Sequence, residues 1–241
     1  EERVLEVRSN NLPDEHRDLQ AARTNLAITK KLLGDLKGAL GLEEKVVEVL
    51  SRTLPSDHPA RLKALSSLAN TKSRLGDFRG AAAVHEHVLE TLSAKLADDH
   101  LDLQGVRENL AVAKRSLGDL KGAEALQRRV LEVRTQFLPD DHLDLQRARE
   151  NLAITQRRRG DLKGALALQE RVLDVRSRTL PDDHPDLQQA RVNLGNTKRD
   201  LGDLKGALAL HEKALTVRSS TLSEDHRDLQ VARGNLAATL R

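Results

Sequence analysis

Cysteine, methionine, tryptophan and tyrosine are absent from this chain of 241 residues, and phenylalanine occurs only at Phe78 and Phe137. Without cysteine the chain can form no disulfide, thiolate nucleophile or zinc–thiolate site, which agrees with a reducing compartment. Leu, Ala and Val supply nearly all the apolar mass, which favours a core of small, closely packed helices. Because the chain begins at Glu1 and lacks methionine, we interpret it as a fragment or a processed chain.

Long apolar runs and a large charge imbalance are also missing. No run approaches the roughly 20 apolar residues that a membrane-spanning helix needs, and no signal-peptide pattern precedes the first regular segment. We therefore expect a soluble cytoplasmic protein with no membrane partner. The 40 basic and 37 acidic residues leave a net charge of only +3, so nucleic-acid binding, which usually needs a clustered basic face, is the weakest of the functions considered.

The sequence consists instead of one segment repeated every 42 residues without insertion or deletion. A Gly-Asp pair recurs at Gly34, Gly76, Gly118, Gly160 and Gly202. A histidine recurs at His16, His58, His100, His142, His184 and His226. A fixed period in this range is typical of a solenoid, in which each unit buries its apolar face against its neighbours.

Each unit is predicted to form two helices joined by the Gly-Asp turn. In the fifth unit, helix A spans about Pro185 to Leu201 and helix B about Leu204 to Leu222, and Gly-Asp ends the first and caps the second. Apolar spacings of three and four indicate the buried faces. The residues predicted to face inward are Leu187, Ala190, Leu194, Thr197 and Leu201 in helix A, and Ala207, Leu210, Ala214, Leu215 and Val217 in helix B.

We predict one domain over residues 1–241, with six A helices, five full B helices and one partial B helix. The predicted parts are a partial helix B in 1–15, full repeats at 16–57, 58–99, 100–141, 142–183 and 184–225, and a terminal helix A in 226–241.

The run of Asn-Leu-Ala, Leu-Gly-Asp, Gly-Ala and Asp-His-Pro resembles the tetratricopeptide repeat. The repeat length and the Asp-His-Pro-Asp of residues 183–186 are most similar to the kinesin-light-chain type. The resemblance implies an all-α fold, a right-handed α-solenoid or superhelix of antiparallel helix-turn-helix repeats. It also implies that the A helices line a concave groove that holds peptides of partner proteins. Where the family has large aromatics in helix A, this chain has residues such as Arg191 and Lys198.

The regular polar residues have structural interpretations. One histidine per repeat does not supply the three or four converging ligands of a zinc site, so we expect Asp141 or Asp183 to cap helix A and predict no metal or cofactor. The Gly-Asp-Leu-Lys-Gly-Ala run lacks phosphate-loop spacing, and we expect Gly164 and its equivalents to let helix B approach a neighbouring helix. Three further histidines are expected to be solvated on helix B, namely His85, His87 and His211. No nucleophile and base converge within one unit, so an enzyme is not expected.

An asparagine before the Leu of Asn-Leu-Ala or Asn-Leu-Gly is the main candidate for binding. It occurs at Asn25, Asn109, Asn151, Asn193 and Asn235, and the second unit has Ser67. The resemblance implies that this side chain faces the groove and hydrogen-bonds a peptide backbone, to which an amide can both donate and accept. A structural asparagine that bonds a neighbouring helix is the alternative.

The repeats differ from one another mainly in helix A. Three positions there change chemical class: residues 21, 63, 105, 147, 189 and 231; residues 24, 66, 108, 150, 192 and 234; and residues 28, 70, 112, 154, 196 and 238. We interpret this variation as a surface that reads different residues of one ligand, with Asn70, Asn196 and Arg147 among the candidates. Neutral drift at exposed positions is the alternative.

A row of cations lies near the end of helix A, including Arg115, Arg157 and Arg199. It forms either ordinary helix-end charges or a stripe that would favour an acidic or C-terminal-carboxylate peptide.

The first prediction for function is a scaffold that binds a protein or peptide partner in the groove, and the partner is expected to be acidic if the basic row forms a stripe. The alternative is a structural module of near-identical units, recently duplicated or designed, that stacks head to tail with itself.

Overall fold

The computed structural model describes residues 1–241 and contains twelve α-helices and no β-strand, which confirms the all-α class. The helices are α1 (Glu2–Asn11), α2 (Arg17–Leu32), α3 (Leu36–Thr53), α4 (Pro59–Arg74), α5 (Phe78–Ser93), α6 (Leu101–Ser116), α7 (Leu120–Phe137), α8 (Leu143–Arg159), α9 (Leu162–Thr179), α10 (Pro185–Asp200), α11 (Leu204–Thr221) and α12 (Arg227–Thr239). The predicted helix count is confirmed: α1 is the partial B helix, the even-numbered helices are A helices, and α3, α5, α7, α9 and α11 are full B helices. None of them has the length and apolarity that crossing a bilayer requires.

The chain divides into two compact units, Glu1–Leu126 and Gln127–Arg241, with the boundary inside α7. Within the first unit, each helix from α1 to α6 packs against the next helix in the chain. Within the second unit, the same is true from α8 to α12. Each unit is therefore built by stacking helical hairpins, and a single domain over residues 1–241 stays a prediction.

Small apolar residues at fixed repeat positions bring the helices close together. An alanine in the first turn of every full B helix is completely buried: Ala39, Ala81, Ala123, Ala165 and Ala207. In the fifth repeat, Leu187, Ala190, Leu194 and Thr197 of α10 are buried as predicted. Leu201 is 39% exposed, because it lies at the C-cap, beyond the last turn that packs. Of the helix B residues predicted to face inward, Ala207 and Ala214 are buried, and Leu210, Leu215 and Val217 are half-buried.

The Gly-Asp turn of all five hairpins has a glycine at positive φ and an aspartate that caps helix B. Gly76 has a φ of +87°, in the left-handed region that favours glycine. The amide of Asp77 donates to the carbonyl of Lys72 (2.9 Å), which closes the end of α4. The Asp77 carboxylate then accepts from the amide of Gly80 (2.8 Å) and caps α5. The predicted roles of both turn residues are confirmed.

The second position of glycine in the Gly-Asp-Leu-Lys-Gly motif requires a small residue, but for a different reason from the one expected. A Cβ added to Gly164 would lie 2.5 Å from Oδ2 of Asp161, the N-cap of the same helix, and the other four repeats have equivalent geometry. The expectation that this glycine allows a neighbouring helix to approach is therefore wrong. The residue must be small because the capping carboxylate folds over it.

The recurring histidine, and not the aspartate before it, caps helix A. In α8, Nδ1 of His142 accepts a hydrogen bond from the amide of Asp144 (3.1 Å), and the other five A helices begin in the same way. The expectation that Asp141 or Asp183 is the cap is wrong. Asp144 and Asp186 do lie in the first helical turn, as expected, where the helix dipole favours anions.

Two helix B histidines expected at the surface are in the core. His85 is 0% and His211 is 1% exposed, whereas His87 is exposed. His211 bonds Thr239 through Nδ1 (2.8 Å), and neither ring nitrogen of His85 has a partner. Burial lowers the pKa of His211, and it lowers the pKa of His85 to about 4. Both histidines are therefore neutral core residues at pH 7.

In a double-mutant cycle of Asp161 and Gly164, the effect of Gly164→Ala on the free energy of unfolding should change sign. Asp161→Ala should cost about 1 kcal/mol because the cap is lost, and Gly164→Ala alone should also destabilise because its Cβ displaces the carboxylate. In the Asp161→Ala background, Gly164→Ala should stabilise by up to about 1 kcal/mol, since alanine is the better helix former. Urea unfolding of the four proteins measures the cycle. Additive costs would contradict this account of the glycine.

His85 should make stability depend on pH below about 6.5. Its folded pKa of about 4 is lower than the usual value of about 6.5, so the unfolded chain binds the proton more tightly. Burial of the neutral imidazole contributes its full stabilisation above about pH 6.5. As the pH falls towards 4, the free energy of unfolding should decrease by about 3 kcal/mol more than that of His85→Gln. Gln127 and Gln169 occupy the equivalent positions. Urea midpoints across this range measure the difference, and His87→Gln is the exposed control, for which we expect none.

Candidate functional site

Five repeats fasten the loop before helix A with a glutamine, buried in all but the last of them, and an arginine, which we call the loop clamp. In the third repeat, Nε2 of Gln104 donates to the carbonyl of Asp98 (2.6 Å), and Arg107 pairs with the Asp98 carboxylate. The equivalent clamps are Gln20 and Arg23 on Asp14, Gln146 and Arg149 on Asp140, Gln188 and Arg191 on Asp182, and Gln230 and Arg233 on Glu224. Arg191, which stands where the family has an aromatic residue, is thus a loop anchor.

The second repeat lacks the whole clamp. Ser56 replaces the acid, Leu62 replaces the glutamine and Leu65 replaces the arginine. Leu62 is buried with Val88 and Val106, and Leu65 packs against the same cluster. The three positions that form the loop clamp in other repeats therefore all differ in this repeat, and its two leucines join an apolar cluster instead.

A second polar device links the A helices of the second unit. The two terminal nitrogens of the Arg176 guanidinium donate to the two carboxylate oxygens of Glu150 at 2.8 Å, and Nη1 also donates to the carbonyl of Asp186. Asn193 contacts Glu150 (3.5 Å) and accepts from Gln189 (2.9 Å). We call these four side chains, Arg176, Glu150, Asn193 and Gln189, the α8–α10 network. It places one candidate asparagine and two of the variable positions in contact with one another.

The candidate asparagines are consequently not equivalent. Asn193 has the interhelical bond of the structural alternative. The side chains of Asn25, Asn109 and Asn235 make no hydrogen bond within the chain; Asn25 is exposed and the other two are half-buried, as is Asn151. In the second repeat, Ser67 donates to Glu43 (2.6 Å) and accepts from Lys31 (2.9 Å). The arrangement leaves polar amides available mainly outside the α8–α10 network.

The remaining candidates of helix A also differ in environment. Asn70 is exposed, whereas Asn196 is half-buried and its Oδ1 is buried without a partner. Among the other variable positions, Val192 is only 2% exposed, so variation there is not variation at the surface.

Most of the predicted basic row is already paired with carboxylates. Arg157 bonds Asp200 (2.7 Å), and Arg199 lies 3.6 Å from the same side chain. Arg147 pairs with Asp144 at its own helix start (2.7 Å), and Arg115 is half-buried. Several lysines near the ends of A helices bond the N-cap aspartate of the following B helix: Lys30, Lys72, Lys114 and Lys198.

In the third hairpin, the ion pair between Lys114 and Asp119 contributes to a shifted pKa of both side chains. The hydrogen bonds that Lys114 donates to Glu86 and Asp119 raise its pKa. Hydrogen bonds from the Gly206 amide and Lys198 lower the pKa of Asp203. Lys114 and Asp119 are therefore both charged over the physiological range, and an incoming anion would have to compete with an existing partner. No group of three or more His, Asp or Glu side chains is arranged to hold a metal ion.

A cavity of about 650 Å³ lies between α4, α5 and α6 in the first unit. We call it the α4–α6 cavity. Its apolar wall consists of Leu62, Val88, Leu92, Leu96, Leu101 and Val106. Ser66, Asn109, Gly105 and two lysines contribute the rest, together with Asp57, Pro59, His100 and Asp102. This volume is in the range of about 300 to 1,000 Å³ that is usual for ligand sites, and the candidate Asn109 lies in its wall.

Sequence reasoning identified Asn109, Lys63 and Gly105 as residues of interest but missed the apolar wall. The available signal was the coordinated departure of the second repeat at Ser56, Leu62 and Leu65, in positions that the other repeats keep polar.

These features define a class: an α-helical repeat protein whose A helices carry polar side chains and a cavity beside them. The sequence profile described as Tetratricopeptide repeat matches residues 18–94 and 102–178, and a second profile of the same description matches residues 187–228. The chain belongs to the tetratricopeptide repeat family.

Several solved structures share this fold. A Podosopora anserina protein described as a kinesin light chain, with nearly identical TPR-like repeats, is 24% identical, with a TM-score of 0.76 over 86% of this chain and 99% of that one. BtubC (BKLC) from P. vanneervenii is 20% identical, with a TM-score of 0.71 over 94% and 90%. The apo form of RapI is 10% identical, with a TM-score of 0.72 over 91% and 83%. No curated protein sequence matches. The α-solenoid fold and the kinesin-light-chain-like repeat type are thereby confirmed.

Asp140 allows the loop clamp to be tested against a matched surface pair. Arg149 and Arg171 both lie 2.7 Å from its carboxylate, but their side chains are 11% and 50% exposed. Arg149→Ala should destabilise by about 2 kcal/mol because it removes charge-assisted bonds and leaves a packing defect. Arg171→Ala should cost less than about 0.5 kcal/mol. Equal urea midpoints for the two variants would show that the clamp does not hold the loop.

Proposed function

We propose that this chain is a protein-interaction scaffold that holds an extended segment of a partner protein along its A helices. Tetratricopeptide repeats are interaction scaffolds as a class, and helical repeat arrays present extended binding surfaces. The observation that carries the finer proposal is Asn109, because its half-buried amide has no partner within the chain and lies in the wall of the α4–α6 cavity.

A peptide backbone suits such an amide. Asn can donate through Nδ2 and accept through Oδ1, and each residue of an extended peptide offers a carbonyl and, except at proline, an N–H group. Each hydrogen bond is worth about 0.5 to 1.5 kcal/mol net, and the contact does not depend on the peptide's side chains. Asn109 is thus proposed to hold the peptide, while its surroundings select which peptide.

Asn25 and Asn235 are proposed to act in the same way, since their side chains are also unbonded within the chain. Asn151, Asn70 and Asn196 stay predicted contacts. Asn193 would first have to leave Gln189 and Glu150. A role for the arginines requires the ligand to compete with Asp144 or Asp200, so a preference for acidic peptides stays a prediction.

Tetratricopeptide relatives are in general scaffolds and not enzymes, and we propose no catalytic activity here. A cytoplasmic location is proposed because the chain has no cysteine, as is common in a reducing compartment. Head-to-tail self-association also stays a prediction.

Asn109→Ala should weaken peptide capture about tenfold, as expected when two hydrogen bonds are lost. Peptides are first selected on the full chain from a random library of about 12 residues, and their affinities are then measured by fluorescence polarisation. Asn193→Ala is the control, with an expected change below about threefold, because its amide already has intrachain partners. Circular dichroism should show unchanged helicity in both variants. An unchanged affinity for Asn109→Ala would refute the assignment.

A further inference from the structure

The positions that surround the α4–α6 cavity carry larger, hydrogen-bonded side chains in the second unit. There, Arg176 reaches from the B helix to Glu150 on the A helix, and Asn193 and Gln189 approach from the next A helix. In the first unit, the corresponding residues are Leu92, Ser66, Asn109 and Gly105. A bidentate ion pair and a long amide are thus replaced by an aliphatic side chain, a small hydroxyl and a hydrogen atom.

Several independent changes enlarge this cavity and make it apolar. Leu62 stands where the other A helices have a clamp glutamine, and it forms the buried floor with Val88 and Val106, which are 0 to 7% exposed. A Cβ at Gly105 would meet nothing within 4 Å. At the mouth, Leu101 is 81% exposed. An occupant would therefore cover apolar surface that now faces water, which is favourable in proportion to the area removed.

The charges at the cavity do not favour a charged occupant. Lys95 is paired with Asp57, and Asp102 faces the ring of its own capping residue, His100. Lys63 has no ion pair within the chain. Because positive and negative side chains both line the cavity, it favours an occupant without a net charge. The floor residues also offer no polar atom to the N–H or O–H that a Trp or Tyr side chain brings into a buried site.

We infer that the α4–α6 cavity is an anchor pocket whose apolar floor takes one large aliphatic side chain, Leu or Ile, of the partner peptide, while the rest of its volume takes the peptide residues on either side. The inference rests on the proposed function, because Asn109 in the same wall holds the backbone next to the anchor. The pocket supplies the sequence preference that an amide bonding a backbone does not have. Its specificity comes from the second repeat, where Leu62 replaces the glutamine of every other A helix, and Ser66 and Leu92 stand where the fourth repeat has Glu150 and Arg176.

Two variants close the pocket with residues that the chain itself uses. Ser66→Glu combined with Leu92→Arg copies the Glu150–Arg176 pair. Gly105→Gln copies Gln189 on the facing helix, and it should leave the protein folded and more heat-stable, because it replaces a helical glycine that has open space around it. If the cavity affected binding only through the stability of the fold, the more stable Gly105→Gln variant should bind the peptide normally.

The test uses peptides of about 12 residues selected from a random library on the full chain, with synthetic copies of the enriched sequences. We expect enrichment of Leu or Ile at one position, with at least tenfold weaker binding when that residue is changed to Ala. Both closing variants should also bind the enriched peptide at least tenfold more weakly. Arg171→Ala, which changes an exposed residue of the second unit outside the cavity, should bind normally.

The outcomes separate this inference from the proposed function. Loss of affinity in Asn109→Ala together with full affinity in both closing variants would overturn the pocket and leave the amide contact standing. Enrichment of acidic or aromatic residues at the anchor position would also overturn it. Binding of N-acetyl-leucine methylamide without any peptide enrichment would indicate a small-molecule site and refute the peptide anchor. If neither binds, both proposals fall.

Discussion

The hydrogen bond from a glycine amide to the N-cap aspartate of helix B is the contact on which every hairpin depends. It begins the second helix two residues after a left-handed glycine ends the first. In four hairpins, a lysine from the end of helix A bonds the same carboxylate. One aspartate therefore joins the end of one helix to the start of the next. Because the left-handed glycine and the capping aspartate recur in all five hairpins, the repeats can be compared position by position.

The fold was largely predictable because the period is long, uniform and free of insertions. Helix number, turn positions and most inward-facing residues of α10 follow from spacing alone. Capping was less predictable, since aspartate is the stronger capping residue by type, yet the imidazole of His142 is the group that reaches the free amide. The buried His85 and His211 were missed for a related reason. Each stands among charged neighbours in sequence, but it occupies the helix B position where other repeats bury Gln127 and Gln169.

The candidate site was only partly predictable, because the availability of a polar side chain depends on residues far away in sequence. Asn109 and Asn193 are equivalent by every sequence criterion. One has no side-chain partner, and the other contacts Glu150, which lies 43 residues away. The variation at residues 150 and 189 suggested a surface for a ligand, yet both side chains contact Asn193. The apolar wall was missed because Leu62 and Leu92 look like ordinary core residues until their counterparts, Gln146 and Arg176, are seen to bond carbonyl and carboxylate oxygens.

The one repeat that departs from the others also affects how a long ligand can align. An array of identical sites has translational degeneracy: a ligand moved along by one repeat meets the same donors and acceptors, and no position is preferred. Leu62, Leu65 and Leu92 break that degeneracy because only their repeat offers this combination of residues. The second repeat therefore favours one alignment of a long ligand over those shifted by one repeat, and this alignment determines which repeat each other part of the ligand contacts.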